Sequence, residues 1–136
     1  MKQEIKQRWI DALRSGEYPQ TMGKLRDEGG YCCLGVLCEL AVEDGIIAPP
    51  TQAAQGWWTY GSQVDLLPSG VMDWAGLYDP NPSITVFKEV EDSYFDEELG
   101  EEVDDYYETN EPDSLAEFND AGHDFIEIAY LIDEQL

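Results

Sequence analysis

Between Arg14 and Cys38 the chain places three of its seven basic residues and all three of its cysteines. Arg14, Ser15, Tyr18, Gln20, Lys24 and Arg26 supply guanidinium forks, hydroxyls, an amide and an ammonium, and Gly16 and Gly23 free backbone N–H groups beside them. Such donors bind phosphate and carboxylate oxygens. Further along, Trp57, Trp58 and Tyr60 offer aromatic faces on which a base could stack. The chemistry that fits this set is capture of a small anionic, nucleotide-like ligand. A plainer use of the same cations is to neutralise the chain's own carboxylates, for example Glu4 with Arg8 along one helix.

The thiols carry less chemistry. Cys32, Cys33 and Cys38 lack the paired CxxC spacing of a zinc site, and the sole histidine, His123, is far along the chain. A catalytic thiol needs a neighbouring base or a helix N-terminus to lower its pKa. Buried structural cysteines are the expectation, because free cysteine is among the most buried residue types.

The carboxylates offer a second interaction chemistry. From Glu89 to Asp113 they alternate with aromatics, and Glu97, Glu98, Glu101, Glu102, Asp104 and Asp105 stand beside Tyr106 and Tyr107. Such a segment is either a solvated face or a surface that imitates the phosphates of nucleic acid toward a basic partner protein. Carboxylates are too numerous for any pair to be singled out as acid and base. EF-hand, GxGxxG, Walker A and HExxH patterns are absent, so neither a metal nor a cofactor is expected.

Charge and length bound the elements that must position these groups. The 136 residues suit a single domain, 1–136, able to bury about two thirds of its unfolded surface. The net charge of −23 opposes direct binding of nucleic acid and of anionic membranes. No run reaches the roughly 18 to 20 apolar residues of a membrane span, and the N-terminus lacks an apolar signal region, so a cytoplasmic location is expected. Lys2, Lys6, Arg8, Arg14, Lys24 and Arg26 precede residue 27, and only Lys88 follows.

Ile5, Trp9, Ala12 and Leu13 at helical spacing predict a helix over residues 3 to 14, with Gly16 as its C-terminal cap. CCLGVLCELAVEDG predicts a buried central helix in which Gly35 permits close packing. Residues 46 to 65 read as loop, and LPSGVMDWAGL as a short helix from Pro68 to Gly76. SITVFKEV and VDDYYET predict an acidic hairpin around ELGEE. Ser114 and Glu117 have capping-box spacing, and Phe125, Ile128, Ala129 and Ile132 predict a last helix. The expected fold is α+β, mainly helical, with a buried central helix and an acidic β-hairpin in an insertion at about 89–113.

RWIDALRSGEYPQTMGKLR, YCCLGVLCELA, LPSGVMDWAGL and SLAEFNDAGHDFIEIAYLIDEQL, in this order, resemble a family of small uncharacterised proteins encoded by tailed bacteriophages. The resemblance covers more than half of the chain and implies a phage accessory protein acting in the host cytoplasm. It brings no assigned activity and hence no catalytic residue, and the acidic segment looks enlarged relative to the family pattern.

Three functions remain open at this point. The first is a sponge that sequesters a nucleotide-derived host immune signal without turnover, in an anti-defence role. The second is an acidic mimic that inhibits a basic host nucleic-acid-binding protein. The third is a hydrolase acting on a nucleotide. The first is preferred because the blocks that resemble the family include the basic segment and not the acidic one. The aromatics at 57 to 60 fit a homo-oligomer interface equally well.

Overall fold

The computed structural model describes residues 1–53, 55–96 and 100–136, and the side chains of 87–96 and 101–110 are outside what it describes. The first helix, α1 (Gln3–Arg14), buries Ile5, Trp9, Ile10 and Leu13 on one face. Ser15 closes it, and Gly16 follows at φ +74°, a left-handed conformation that glycine adopts without a Cβ penalty. Trp9 is fully buried and its indole N–H donates to the Cys33 carbonyl at 2.9 Å. Removing roughly 200 Å² of aromatic surface from water stabilises by about 5 kcal/mol, provided that polar handle is satisfied.

A short hairpin of β1 (Arg26–Asp27) and β2 (Gly30–Tyr31) leads into α2 (Cys33–Glu43). Eight of the eleven α2 residues are buried, which makes it the central helix that its continuous apolar run predicts. A second two-residue pair, β3 (Thr51–Gln52) with β4 (Trp58–Thr59), lies inside the segment read as loop. Pairs this short leave no periodicity in the sequence. Next, α3 (Ser69–Ala75) ends at Gly76 in the left-handed region. Lys2 N–H donates to the Ala75 carbonyl at 2.8 Å, tying the N-terminus to this helix.

Two long strands, β5 (Ser83–Asp96) and β6 (Glu101–Ser114), pair antiparallel from Ser83 opposite Ser114 to Asp96 opposite Glu101. The paired length exceeds the two short runs expected from SITVFKEV and VDDYYET, because backbone hydrogen bonding continues through the acidic residues on both sides. Glu97 and Glu98, within the expected turn, lie outside the described residues. The ladder runs straight into α4 (Leu115–Asp120), where the Ser114 hydroxyl accepts from Glu117 N–H at 3.2 Å, as the capping-box spacing predicts.

The last helix, α5 (Phe125–Gln135), buries Phe125, Ile128, Ala129 and Ile132, and Asp124 caps it by accepting from Glu127 N–H. It packs along α1, while α2 touches α1, α3 and α4. Gln135 closes the arrangement by pairing its amide with both backbone groups of Thr85, at 2.7 and 2.8 Å. The chain is thus a small α+β domain, mainly helical, with one core around α2. Among the described residues no helix is long and apolar enough to cross a membrane.

Candidate functional site

The basic segment is held by backbone contacts that leave little room. Tyr31 N–H donates to the Pro19 carbonyl, Thr21 N–H to the Tyr31 carbonyl, and Cys32 N–H to the Leu25 carbonyl. These bonds fold residues 19 to 32 over the first turn of α2.

Arg26 emerges from this fold half-buried, its guanidinium flanked by two rings and a carboxylate. The carbon at its centre lies 5.0 Å from the Tyr31 ring and 4.5 Å from the Trp58 ring, and Nη1 is 3.5 Å from Glu39 Oε1. The Tyr60 hydroxyl donates to that same Glu39 oxygen. Tyr60 is fully buried, and burial, then Glu39, pushes its phenol well above the ordinary tyrosine range. Two of the aromatics expected to stack on a ligand thus belong to an internal Arg26–Glu39 cluster. A half-buried carboxylate needs such partners, since an unpaired charge out of water is costly.

Lys24 sits apart from Arg26. Its Nζ lies 4.9 Å from the centre of the Trp57 ring, in a recess of about 330 Å³ that Thr21, Asp27, Glu28, Gly29 and Gly56 also line. The Asp27 carboxylate already accepts from the Thr21 hydroxyl and from Gly29 N–H, both at 2.7 Å.

The remaining predicted ligand-binding residues diverge. Arg14 is exposed in the last turn of α1. The Ser15 hydroxyl donates to the Ala12 carbonyl at 2.6 Å and accepts from Glu17 N–H, finishing the helix. Tyr18 packs edge-on against Tyr31, at 5.4 Å between centroids. Gln20 donates to Asn119 Oδ1 and to the His123 carbonyl, at 2.9 and 2.7 Å. The nine residues therefore occupy separate places. Arg26, Trp58 and Tyr60 form one cluster, Lys24 and Trp57 a second, and Gln20 a structural clasp.

Arg8 reaches Asp44 at 2.6 Å and Glu43 at 3.9 Å instead of Glu4, which corrects the expected pairing along α1. The geometric reason is that the end of α2 presents two carboxylates to the face of α1 that carries Arg8. The hydrogen bond to Asp44 raises the Arg8 pKa further.

All three cysteines are free and buried. Cys32 caps α2, its sulfur accepting from Gly35 N–H at 3.4 Å. Burial pushes the Cys32 thiol up to about 11, and Cys33 and Cys38 well above their ordinary value. A nucleophilic thiol requires a shift in the opposite direction. The His123 ring meanwhile stacks on Phe118 at 3.7 Å and bonds Glu127 at 2.8 Å. Among the described residues no group of three potential metal ligands gathers.

Glu101, Glu102, Asp104, Asp105, Tyr106 and Tyr107 lie on β6, where the register is defined and the side chains are outside the described set. That register sets Glu89 opposite Glu108, Asp92 opposite Asp105 and Asp96 opposite Glu101.

A model of a domain of unknown function, DUF8296, matches residues 1–136. The chain belongs to the DUF8296 family. The match covers the acidic residues from Glu89 to Asp113 together with the basic segment. No curated protein and no solved structure matches the chain.

Two positions important to this DUF8296 chain were not singled out in the sequence. Glu39 had a readable signal, a lone carboxylate inside the apolar run CCLGVLCELA. Asn119 is fully buried and had none, because its partners Gln20, Thr21 and Cys33 lie about a hundred residues away in the chain.

Proposed function

We propose that the protein is a binding module without turnover, a phage accessory protein of the host cytoplasm whose acidic ladder occupies the cation-rich surface of a host nucleic-acid-binding protein. The observation that carries this reading is the β5–β6 register, with three pairs of like charge directly opposite one another. Such pairs destabilise an antiparallel ladder by about 0.2–1 kcal/mol each. Folding alone would gain from replacing one member of each pair, whereas a basic partner turns the repulsion into attraction.

Charge density supports the same reading. Fourteen paired positions at a rise of ~3.4 Å make a ladder about 48 Å long. Its two strands carry eleven carboxylates, one for about every 4 Å, against a phosphate every ~3.4 Å along one DNA strand. Thirteen carboxylates and no Lys or Arg lie between Glu89 and Asp113. Arg8 and Arg26 are already engaged by Asp44 and Glu39.

A second reading, capture of a small anionic nucleotide-like ligand, has the Lys24–Trp57 recess in its favour. It ranks lower because Asp27 and Glu28 line the same recess, and because Arg26 is bound internally.

The test is displacement of labelled duplex DNA from a panel of purified bacterial DNA-binding proteins. The chain should release DNA from a susceptible member of the panel, with potency falling as salt rises. Glu101→Gln, Glu102→Gln, Asp104→Asn and Asp105→Asn together should cost at least about tenfold in potency while the variant melts at a higher temperature, since two like-charge pairs are relieved. An equally potent variant with unaltered salt dependence would contradict the reading.

A further inference from the structure

A groove of about 550 Å³ runs between α4, α5 and the start of β5, lined by Val86, Phe118, His123, Ile126, Tyr130 and Leu131, with Glu127 among them. Its walls are almost wholly apolar. Ile126 and Tyr130 are each 56% exposed, unlike the other large apolar residues of α5, and stand one helical turn apart. Phe118 and the stacked His123 ring form the facing wall. Exposed apolar side chains that converge on a groove mark an interaction surface more often than isolated ones do.

The charges around the groove specify the occupant. Glu127 lies within it, and the exposed Asp124, Asp133 and Glu134 belong to the same helix or its cap. Among the described residues, none that lines it is Lys or Arg. Asp133 and Glu134 also sit in the last turn of α5, which has no basic residue, so they oppose the helix dipole, and Glu134 accepts from the Tyr130 hydroxyl at 2.8 Å. A second copy of this chain would bring the same excess of negative charge and meet repulsion, and anionic lipid would be repelled as well.

We infer that this groove binds an amphipathic helix of a partner protein, inserting apolar residues one turn apart between Ile126, Tyr130 and Phe118 and placing flanking Lys or Arg side chains against Glu127, Asp133 and Glu134. Docking an apolar helix face into a groove uses i and i+4 anchors of this spacing. The inference goes beyond the ladder reading, since it concerns a different surface and stands if the ladder has no partner.

The probe is a fluorescein-labelled helical peptide of Leu and Lys in amphipathic order, compared with one of equal charge in which Ser replaces every Leu. Fluorescence anisotropy should show the Leu peptide binding at least about tenfold more tightly. Ile126→Ser with Tyr130→Ser should remove that advantage without lowering Tm, because both side chains are exposed. Neutralising the four β6 carboxylates should leave the advantage intact, which separates failure of this inference from failure of the ladder reading. Amide shift changes in the NMR spectrum should centre on residues 118 to 134. Equal binding of the two peptides, or unchanged binding by the double variant, would overturn the inference. So would self-association in sedimentation that the double variant abolishes, which would assign the face to a second copy.

Discussion

Gly35→Ala should leave little or no folded protein. A Cβ added at Gly35 would lie 1.8 Å from the Leu25 carbonyl oxygen and 2.7 Å from its carbon, and both are backbone atoms that cannot rotate away. Leu25 is fully buried, its N–H donates to the Val64 carbonyl at 2.7 Å, and its carbonyl accepts from Cys32 N–H at 3.2 Å. Moving it would break both bonds and displace Arg26, the next residue, from Glu39. Overpacking costs about 1–3 kcal/mol where side chains can adjust. Each buried group left unpaired adds about 1–3 kcal/mol.

A total near 5 kcal/mol is a large part of the roughly 5–15 kcal/mol that holds a domain of this size. The gain in helix propensity, about 1 kcal/mol, does not offset it. Thermal melting should show a fall in Tm of about 15 °C or more, or no cooperative transition. Gly70→Ala is the control, since its Cβ meets only the Ile47 side chain, at 3.4 Å, and its Tm should stay within about 4 °C. A Gly35→Ala protein that melts like the parent would refute the close approach of α2 to Leu25.

The second large effect is expected at Asn119. Its Oδ1 accepts from Gln20 Nε2 at 2.9 Å and from Cys33 N–H at 3.3 Å, and its Nδ2 donates to the Thr21 carbonyl at 2.8 Å and to Asp120 Oδ1 at 3.2 Å. One fully buried amide therefore joins the basic loop, the start of α2 and α4. Asn119→Leu fills the space but strands those partners, with an expected loss of about 3–5 kcal/mol.

Asn119→Asp keeps the shape and adds a buried carboxylate beside Asp120, and while ionised it has no hydrogen to donate to Asp120 or to the Thr21 carbonyl. Burial and that neighbour raise the folded-state pKa of the new acid above its unfolded value. Its penalty is therefore smallest below the unfolded pKa and grows as pH rises through and above it. The difference in stability between parent and Asn119→Asp, followed by urea unfolding, should narrow from pH 7 toward pH 4. A difference independent of pH would show that residue 119 is not buried in this network.

These two positions mark the boundary of what the sequence discloses. The faces of α1 and α5 are readable because burial repeats every three to four residues, and Ile5, Trp9 and Leu13, or Phe125, Ile128 and Ile132, carry that repeat. The stops at Gly16 and Gly76 are readable because a left-handed residue favours glycine. Asn119 was not readable, because its meaning lies in bonds to Gln20 and Thr21 that only tertiary folding creates.

The basic cluster illustrates the same limit. Arg14 and Arg26 are close in sequence and share no partner, while Arg26 and Glu39 look unrelated and form one cluster. Proximity along the chain says which groups are present, and the direction of each side chain decides which of them meet. The acidic segment is the reverse case. Its composition was plain, and the like-charge pairs that make it unusual appear only once the register is known.

Native mass spectrometry of the protein purified from bacterial cells that express it addresses the central claim most directly. The account predicts a complex with a basic protein that dissociates as salt rises and is lost when Glu101, Glu102, Asp104 and Asp105 are neutralised, with no phosphate-bearing small molecule released on denaturation. Recovery of one such molecule per chain, bound in the absence of any protein partner, would contradict it and move the site to the Lys24–Trp57 recess.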